Sequence, residues 1–264
     1  MPEGHTIHRL ARDQRRLIGG RPVAVSSPQG RFAEGAACLD GLVLEGIEAY
    51  GKHLFYRWDD RSVMHVHLGL FGTFRVHNGA DPPEPTAATR LRMRTPGVCI
   101  DLSGPSDCSI GDEAERDRIV ARLGPDPLRP DADVTRFIRR VRNSRAPIGA
   151  LLLDQSVIAG VGNVYRAEAL FVCGIDPQRP GRELSEAEQS RLWATIGIML
   201  RAGVKANRIV TLHRAELGLP AGARHRRGET TYAYQRRQCV RCAEEIRWFA
   251  LANRPCYACP TCQR

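Results

Sequence analysis

The stretch CVRCAEEIRWFALANRPCYACPTC, residues 239–262, holds two Cys-x2-Cys knuckles, Cys239/Cys242 and Cys259/Cys262, separated by 16 residues. Each knuckle offers two sulfurs from one tight turn, and two knuckles together match a four-thiolate tetrahedral site, so one structural zinc ion is expected here. A redox site needs one pair rather than two, and no thioredoxin-like βαβ pattern surrounds these cysteines. Cys256 makes a further Cys-x2-Cys spacing with Cys259 and could compete for the metal; the pairing of the outer knuckles leaves it as a non-ligand. Between the knuckles, Ile246 to Arg254 reads as a β-hairpin with Arg254 near its tip, suited to gripping a phosphate or a groove. About 40 residues are too few to hold a core without a staple, and zinc would supply it. Such a module implies binding and says nothing of chemistry.

Upstream, Gly218 to Arg227 is Gly- and Arg-rich without periodicity and reads as an exposed, mobile loop. Before it the period is helical. Helices are expected over Val134 to Arg142, Ile148 to Val157, Val164 to Val172 and Glu186 to Ala202, the last opened by a Ser185/Glu188 capping box. The turn Gly160-Val161-Gly162-Asn163 interrupts two of these helices. A Gly-rich turn that opens a helix presents backbone N–H groups and the positive end of the helix dipole, a seat for phosphate, to which Asn163 can add a side-chain donor. Glycine also serves as an ordinary helix stop, and the turn by itself does not decide between the two.

Gly124-Pro125-Asp126-Pro127 reads as a boundary. Ahead of it, short β-rich runs follow one another: Pro22 to Ser26, Leu42 to Tyr50, His53 to Trp58, Val63 to Leu68, Thr73 to Val76, Leu91 to Arg94 and Val98 to Leu102. Strands this short, broken by Gly, Pro and Asp, point to a β-sandwich or barrel. A first helix is expected from Thr6 to about Ile18, stopped by Gly19-Gly20.

The 264 residues carry 39 Lys+Arg against 29 Asp+Glu, a net charge of +10, which favours a polyanionic partner; nucleic acid and an anionic membrane surface would both be attracted. No apolar run approaches the roughly 18 residues of a membrane span. With no basic region and apolar stretch at the start, a cytoplasmic location is expected. Only Lys52 and Lys205 are lysines, so a retained amine invites a chemical reason.

The chain starts Met1-Pro2-Glu3-Gly4-His5. Trimming of Met1 would expose Pro2 as a secondary amine. An α-amino group, with a pKa of roughly 7.7–8.0, offers far more free nucleophile at neutral pH than lysine does. A secondary amine that condenses with an aldehyde gives an iminium that cannot lose its charge by deprotonation at nitrogen, and so acts as an electron sink. The bland reading is a proline that merely follows the initiator.

Pro2-Glu3-Gly4, Gly51-Lys52-His53-Leu54, His67-Leu68-Gly69-Leu70-Phe71-Gly72, the Asp154 to Glu168 turn and the Arg254 to Gln263 ending together resemble the formamidopyrimidine-DNA glycosylase and endonuclease VIII family, along the whole chain and in the family's order. The start Pro-Glu-Gly-His-Thr looks most like the endonuclease VIII-like branch of actinobacteria. The resemblance implies an α+β multidomain fold: an N-terminal β-sandwich with flanking helices (1–124), a helical helix-two-turn-helix domain (125–227) and a C-terminal β-hairpin zinc finger (228–264). It implies a monomeric bacterial enzyme of base excision repair, a DNA glycosylase and abasic-site lyase acting on damaged double-stranded DNA, nucleoid-associated when bound, with no membrane partner.

Carried over by motif, Pro2 would be the nucleophile, Glu3 the general acid/base and Lys52 the group that contacts phosphate and assists elimination. His67, Gly162, Asn163 and Arg254 would meet the DNA around the extruded nucleotide, and Leu70 and Phe71 would fill the hole it leaves. For the last two, strand core is the competing reading. Oxidised pyrimidines are the expected substrates; oxidised purines, or lesion binding without catalysis, are the alternatives. His5 and Thr6 depart from the family's Pro-Glu-Gly-Pro-Glu, and Gly69 stands where the endonuclease VIII pattern has glutamine.

Overall fold

The computed structural model describes residues 2–212 and 230–264; the expected loop at 218–227 lies outside the described residues. Two compact units divide the chain, Met1–Glu3 with Ile7–Arg122, and Gly4–Thr6 with Leu123–Arg264.

The first unit is the β-sandwich. Helix α1 (Gly4–Ile18) is followed by β1 (Ala24–Ser26), α2 (Ala33–Leu39), β2 (Leu44–Tyr50), β3 (His53–Trp58), β4 (Val63–His67), β5 (Thr73–Asn78), β6 (Thr89–Thr95), β7 (Val98–Ser103), β8 (Asp107–Gly111) and α3 (Glu113–Ala121). They build two four-stranded antiparallel sheets, ordered β1-β6-β7-β5 and β2-β3-β4-β8. Alternation along β3 explains the layering. Leu54, Tyr56 and Trp58 enter the core with Ile7, Leu39, Met64 and Leu102, and the Tyr56 hydroxyl satisfies itself there by donating to Gln14 Oε1 at 2.7 Å. His53, Phe55 and Arg57 take the opposite face, where the Arg116 guanidinium of α3 lies over the Phe55 ring.

Elements α2 and β8, like α3, lie outside the runs expected from the sequence. Helix α2 is about two turns of AEGAACL, and its Gly35 suits the packing, since a Cβ there would lie 2.3 Å from the Phe32 ring. Strand β8 is a half-exposed sheet edge without apolar alternation.

The second unit carries α4 (Val134–Arg142), α5 (Ile148–Leu151), α6 (Asn163–Cys173) and α7 (Glu186–Ala206), then the hairpin β9 (Arg247–Leu251) and β10 (Arg254–Ala258). The Ser185/Glu188 capping box opens α7 as expected. The expected helix over 148–157 is a correction: α5 stops at Leu151, and the buried Leu152, Val157, Ile158 and Val161 sit in turns. Buried turns need their polar groups met. Gln155 does this, donating from Nε2 to the carbonyls of Leu153 and Val161 and accepting the Gly160 N–H at Oε1.

Candidate active site and nucleic-acid interface

In the first unit, Pro2, Ile7, Lys52, His67, Leu68 and Gly69 line one narrow recess of about 20 Å³. Lys52 reaches it from the two-residue turn between β2 and β3, where Gly51 adopts φ +57° and Tyr50 pairs with His53. His67 is the last residue of β4, in register with His53 on β3 and Asp107 on β8. Glu3 is fully buried and its carbonyl accepts the Ile7 N–H at the start of α1. Three of the expected catalytic or DNA-contacting residues, Pro2, Lys52 and His67, are thus brought together.

Past His67 the strand ends. Leu68 to Gly72 forms a tight turn closed by the Gly72 N–H on the Leu68 carbonyl at 2.9 Å. Leu70 is 47% and Phe71 85% exposed, so neither is strand core. Gly69 has φ +63° and lies against Ser106, whose side chain a Cβ at position 69 would meet at 2.9 Å. The turn therefore rests on Ser106, which also bonds His67 Nδ1 through its hydroxyl at 2.7 Å.

In the second unit, the Gly-rich turn opens α6 as expected: Gly160 is left-handed at φ +89° and Gly162 caps the helix. Gly160 has a further task. Its carbonyl accepts the Gly4 N–H at 2.8 Å, and a Cβ on Gly4 would lie 3.0 Å from Gly160 Cα. His5 packs edge-on against the Tyr165 ring and over Gly203. Burial pushes its pKa down to about 4, so the ring that departs from the family's proline is a neutral packing group.

Asn163 is 5% exposed and its carboxamide is engaged: Nδ2 donates to the Pro255 carbonyl at 3.0 Å and Oδ1 accepts from Arg166. The fully buried Arg166 also donates to the carbonyls of Leu251 and Pro255. These bonds pin both sides of the hairpin tip, the two-residue turn Ala252-Asn253 with both φ positive, the pattern of a type I′ turn. Arg254 follows the turn and is exposed. Arg166 carries no motif signal in the sequence that distinguishes it from other arginines.

The four expected ligands converge. Cys239, Cys242, Cys259 and Cys262 place their sulfurs within 4.8 Å of one another, with pairs at 3.5 and 3.8 Å. Tetrahedral Zn–S bonds of about 2.3 Å require sulfurs about 3.8 Å apart, so the set fits such an ion. Backbone N–H groups of Arg241 and Cys262 point at the Cys239 and Cys259 sulfurs at 3.4 Å, as thiolates favour. Cys256 is buried on β10, outside the cluster.

Residues 1–105 match the model of the formamidopyrimidine-DNA glycosylase N-terminal domain, and 123–214 that of the formamidopyrimidine-DNA glycosylase H2TH domain. The chain is 47% identical to Endonuclease 8 1 of Mycobacterium tuberculosis over 271 residues, covering 100% of both. It belongs to the formamidopyrimidine-DNA glycosylase and endonuclease 8 family. Within that family it is also 31% identical to formamidopyrimidine-DNA glycosylase of Thermus thermophilus, over 100% of this chain and 98% of that protein. The family fold extends to a solved structure of Lactococcus lactis Fpg in complex with an abasic site containing DNA, at TM-score 0.82 and 22% identity, covering 99% of each chain. As a family member the chain is a DNA glycosylase.

Proposed function

We propose that this DNA glycosylase is bifunctional, removing oxidised pyrimidines from duplex DNA and cleaving the strand at the resulting abasic site. The observation that carries the reading is the recess shared by Pro2, Lys52 and His67. With Met1 removed, the Pro2 nitrogen attacks C1′ of the damaged nucleotide while Glu3 protonates the opening sugar; the base departs and an iminium forms at C1′. The iminium draws electrons from the C2′–H bond, so loss of that proton expels the 3′ phosphate, and a second elimination expels the 5′ phosphate. Lys52 holds a phosphate by a single-point charge and donates the proton that a guanidinium is too weak an acid to give. His67, Arg254 and the N-terminal end of α6 at Gly162 and Asn163 meet the backbone around the lesion, and Leu70 and Phe71, exposed at the tip of their turn, enter the base stack.

The four cysteines hold one structural zinc ion, which fixes the hairpin that presents Arg254. The 47% identity to an endonuclease 8, against 31% to a formamidopyrimidine-DNA glycosylase, favours pyrimidine over purine lesions. A monomer acting on damaged double-stranded DNA in the bacterial cytoplasm, at the nucleoid, accords with this reading.

Borohydride reduction converts the iminium into a stable covalent adduct. The mature protein should be trapped mainly on a duplex bearing thymine glycol, and Pro2→Gly should sharply cut trapping while retaining DNA binding. Trapping mainly on 8-oxoguanine would reverse the substrate assignment, and absence of adduct on both would make the chain a lesion binder.

A further inference from the structure

On the face of β2-β3-β4-β8 that carries Phe55, three imidazoles lie together. His53 and His65 stack with ring centroids 5.1 Å apart, and His53 lies 4.8 Å from His67. His53 Nδ1 meets His65 Nε2 at 2.9 Å, and His65 Nδ1 meets Asp107 Oδ2 at 3.0 Å. The direction of these bonds follows from chemistry. A carboxylate only accepts, so His65 donates from Nδ1; a neutral His65 then has only a lone pair at Nε2, so His53 donates from its own Nδ1. That leaves His53 Nε2 as an acceptor, at the far end of the row from Asp107. A proton added at His53 Nε2 would make an imidazolium whose charge is relayed through two hydrogen bonds to the Asp107 carboxylate.

In the free protein the row is neutral. Burial, then the neighbouring imidazoles and Lys52, push His53 down to about 3, and His65 and His67 are also lowered, chiefly by burial. The charged or titratable groups around the row are Lys52 on the β2–β3 turn, Asp107 and Cys108 on β8, Glu115 and Arg116 on α3, and the Pro2 nitrogen in the recess shared with His67. Among them Lys52 opposes protonation and Asp107 favours it. An anion placed against Lys52 and His67 offsets the Lys52 part of this opposition and supplies a countercharge, so that the row's affinity for a proton rises although burial continues to oppose it.

We propose that Asp107, His65 and His53 are positioning residues for the Lys52–His67 edge, ordering its imidazoles so that capture of a DNA phosphate is accompanied by uptake of a proton on the histidine row. The inference rests on the reading that Lys52 and His67 meet a DNA phosphate. By linkage, affinity for DNA then strengthens as pH falls.

The test is calorimetric titration of the full-length, zinc-loaded protein with a duplex containing a tetrahydrofuran abasic analogue, which cannot form the iminium, in buffers of different ionisation enthalpy between pH 6 and 8. Wild type should take up a measurable fraction of a proton per duplex, larger at pH 6 than at pH 8, and bind more tightly at the lower pH. Asp107→Asn, whose amide no longer dictates the bond direction, should lose most of the uptake and flatten the pH profile. His53→Gln, which still offers His65 a donor but cannot hold the proton, should do the same should Asp107→Asn fail to fold. Asp107→Glu should restore uptake. Absence of uptake in wild type, or wild-type uptake in both Asp107→Asn and His53→Gln, would overturn the proposal. His67→Gln separates the two layers. If it weakens binding while the other variants keep wild-type uptake, only the proton coupling fails; if it binds as tightly as wild type, the phosphate reading fails as well.

Discussion

The β-sandwich and the C-terminal hairpin solve the same problem, holding a functional edge still, by opposite means. In the sandwich, a continuous apolar cluster from Ile7 to Leu102 fixes the strands that flank Lys52 and the strand that ends in His67. Around the hairpin, the buried cluster among the described residues is Phe171, Leu212, Tyr232, Ala233, Cys239, Ile246 and Cys259, two of them expected zinc ligands. Individual polar groups do the remaining fastening. Glu168 on α6 accepts the Thr211 hydroxyl and the N–H groups of Tyr232, Ala233 and Tyr234, and the Asn163/Arg166 pair holds the hairpin tip. Damage to the first region should therefore be graded, and damage to the second abrupt.

The largest effect separates the two regions directly. Cys259→Ser, or metal removal by a chelator, should unfold the hairpin, because structural zinc contributes on the order of 10 kcal/mol to modules of this size. DNA affinity should collapse and zinc content fall to zero. Leu54→Ala in the sandwich should cost about 2–5 kcal/mol by leaving a cavity, with the zinc content unchanged. A Cys259→Ser protein with wild-type affinity for DNA would mean that the hairpin is held without the metal.

Next in size is Glu168→Gln. Burial pushes this carboxyl's pKa up even though four donors converge on it, so the nest of donors is what offsets desolvation. An amide would set its own N–H groups against the N–H groups of residues 232–234, at a cost of about 2–3 kcal/mol. Thermal unfolding reads the loss; a shift below about 0.5 kcal/mol would show that residues 230–234 are held by other contacts.

The same contrast explains what the sequence makes legible. In the sandwich, β3 begins and ends where alternation places it, at His53 and Trp58, because one face is buried and a one-residue slip would expose it. The four cysteines are legible because spacing alone encodes their geometry. Contacts between distant segments are not. Nothing local reveals that Gly4 must pass against Gly160, that Asn163 spends its carboxamide on Pro255, or that His53 stands in register with His67 and Asp107. His65 and His67 share a strand face, but the carboxylate that orders them comes from β8, an edge strand without a pattern to announce it. Helix α5 falls short of its apolar run because Gln155 and Asp154 satisfy the turns that follow, a polar solution that hydrophobic periodicity does not register.

The smallest effect tests whether a pinning carboxylate must be buried to matter. Glu188 caps α7 and pairs with Arg179 through both oxygens, at 2.7 and 2.8 Å, with each side chain about a quarter exposed. Arg179, then the bonds from Ser185, hold its pKa at about 2 against an ordinary 4.5. A carboxyl whose folded pKa is depressed stabilises the fold fully above its unfolded value, and that contribution drains away as pH falls through the folded value. Glu188→Gln should thus lower stability at neutral pH by no more than about 1 kcal/mol, since solvent screens a pair at this exposure. The gap between wild type and variant should close between about pH 4.5 and pH 2, followed by thermal midpoints across that range. A gap that persists unchanged to pH 2 would place the stabilisation in the neutral hydrogen bonds of the capping box and leave the ion pair without a measurable share.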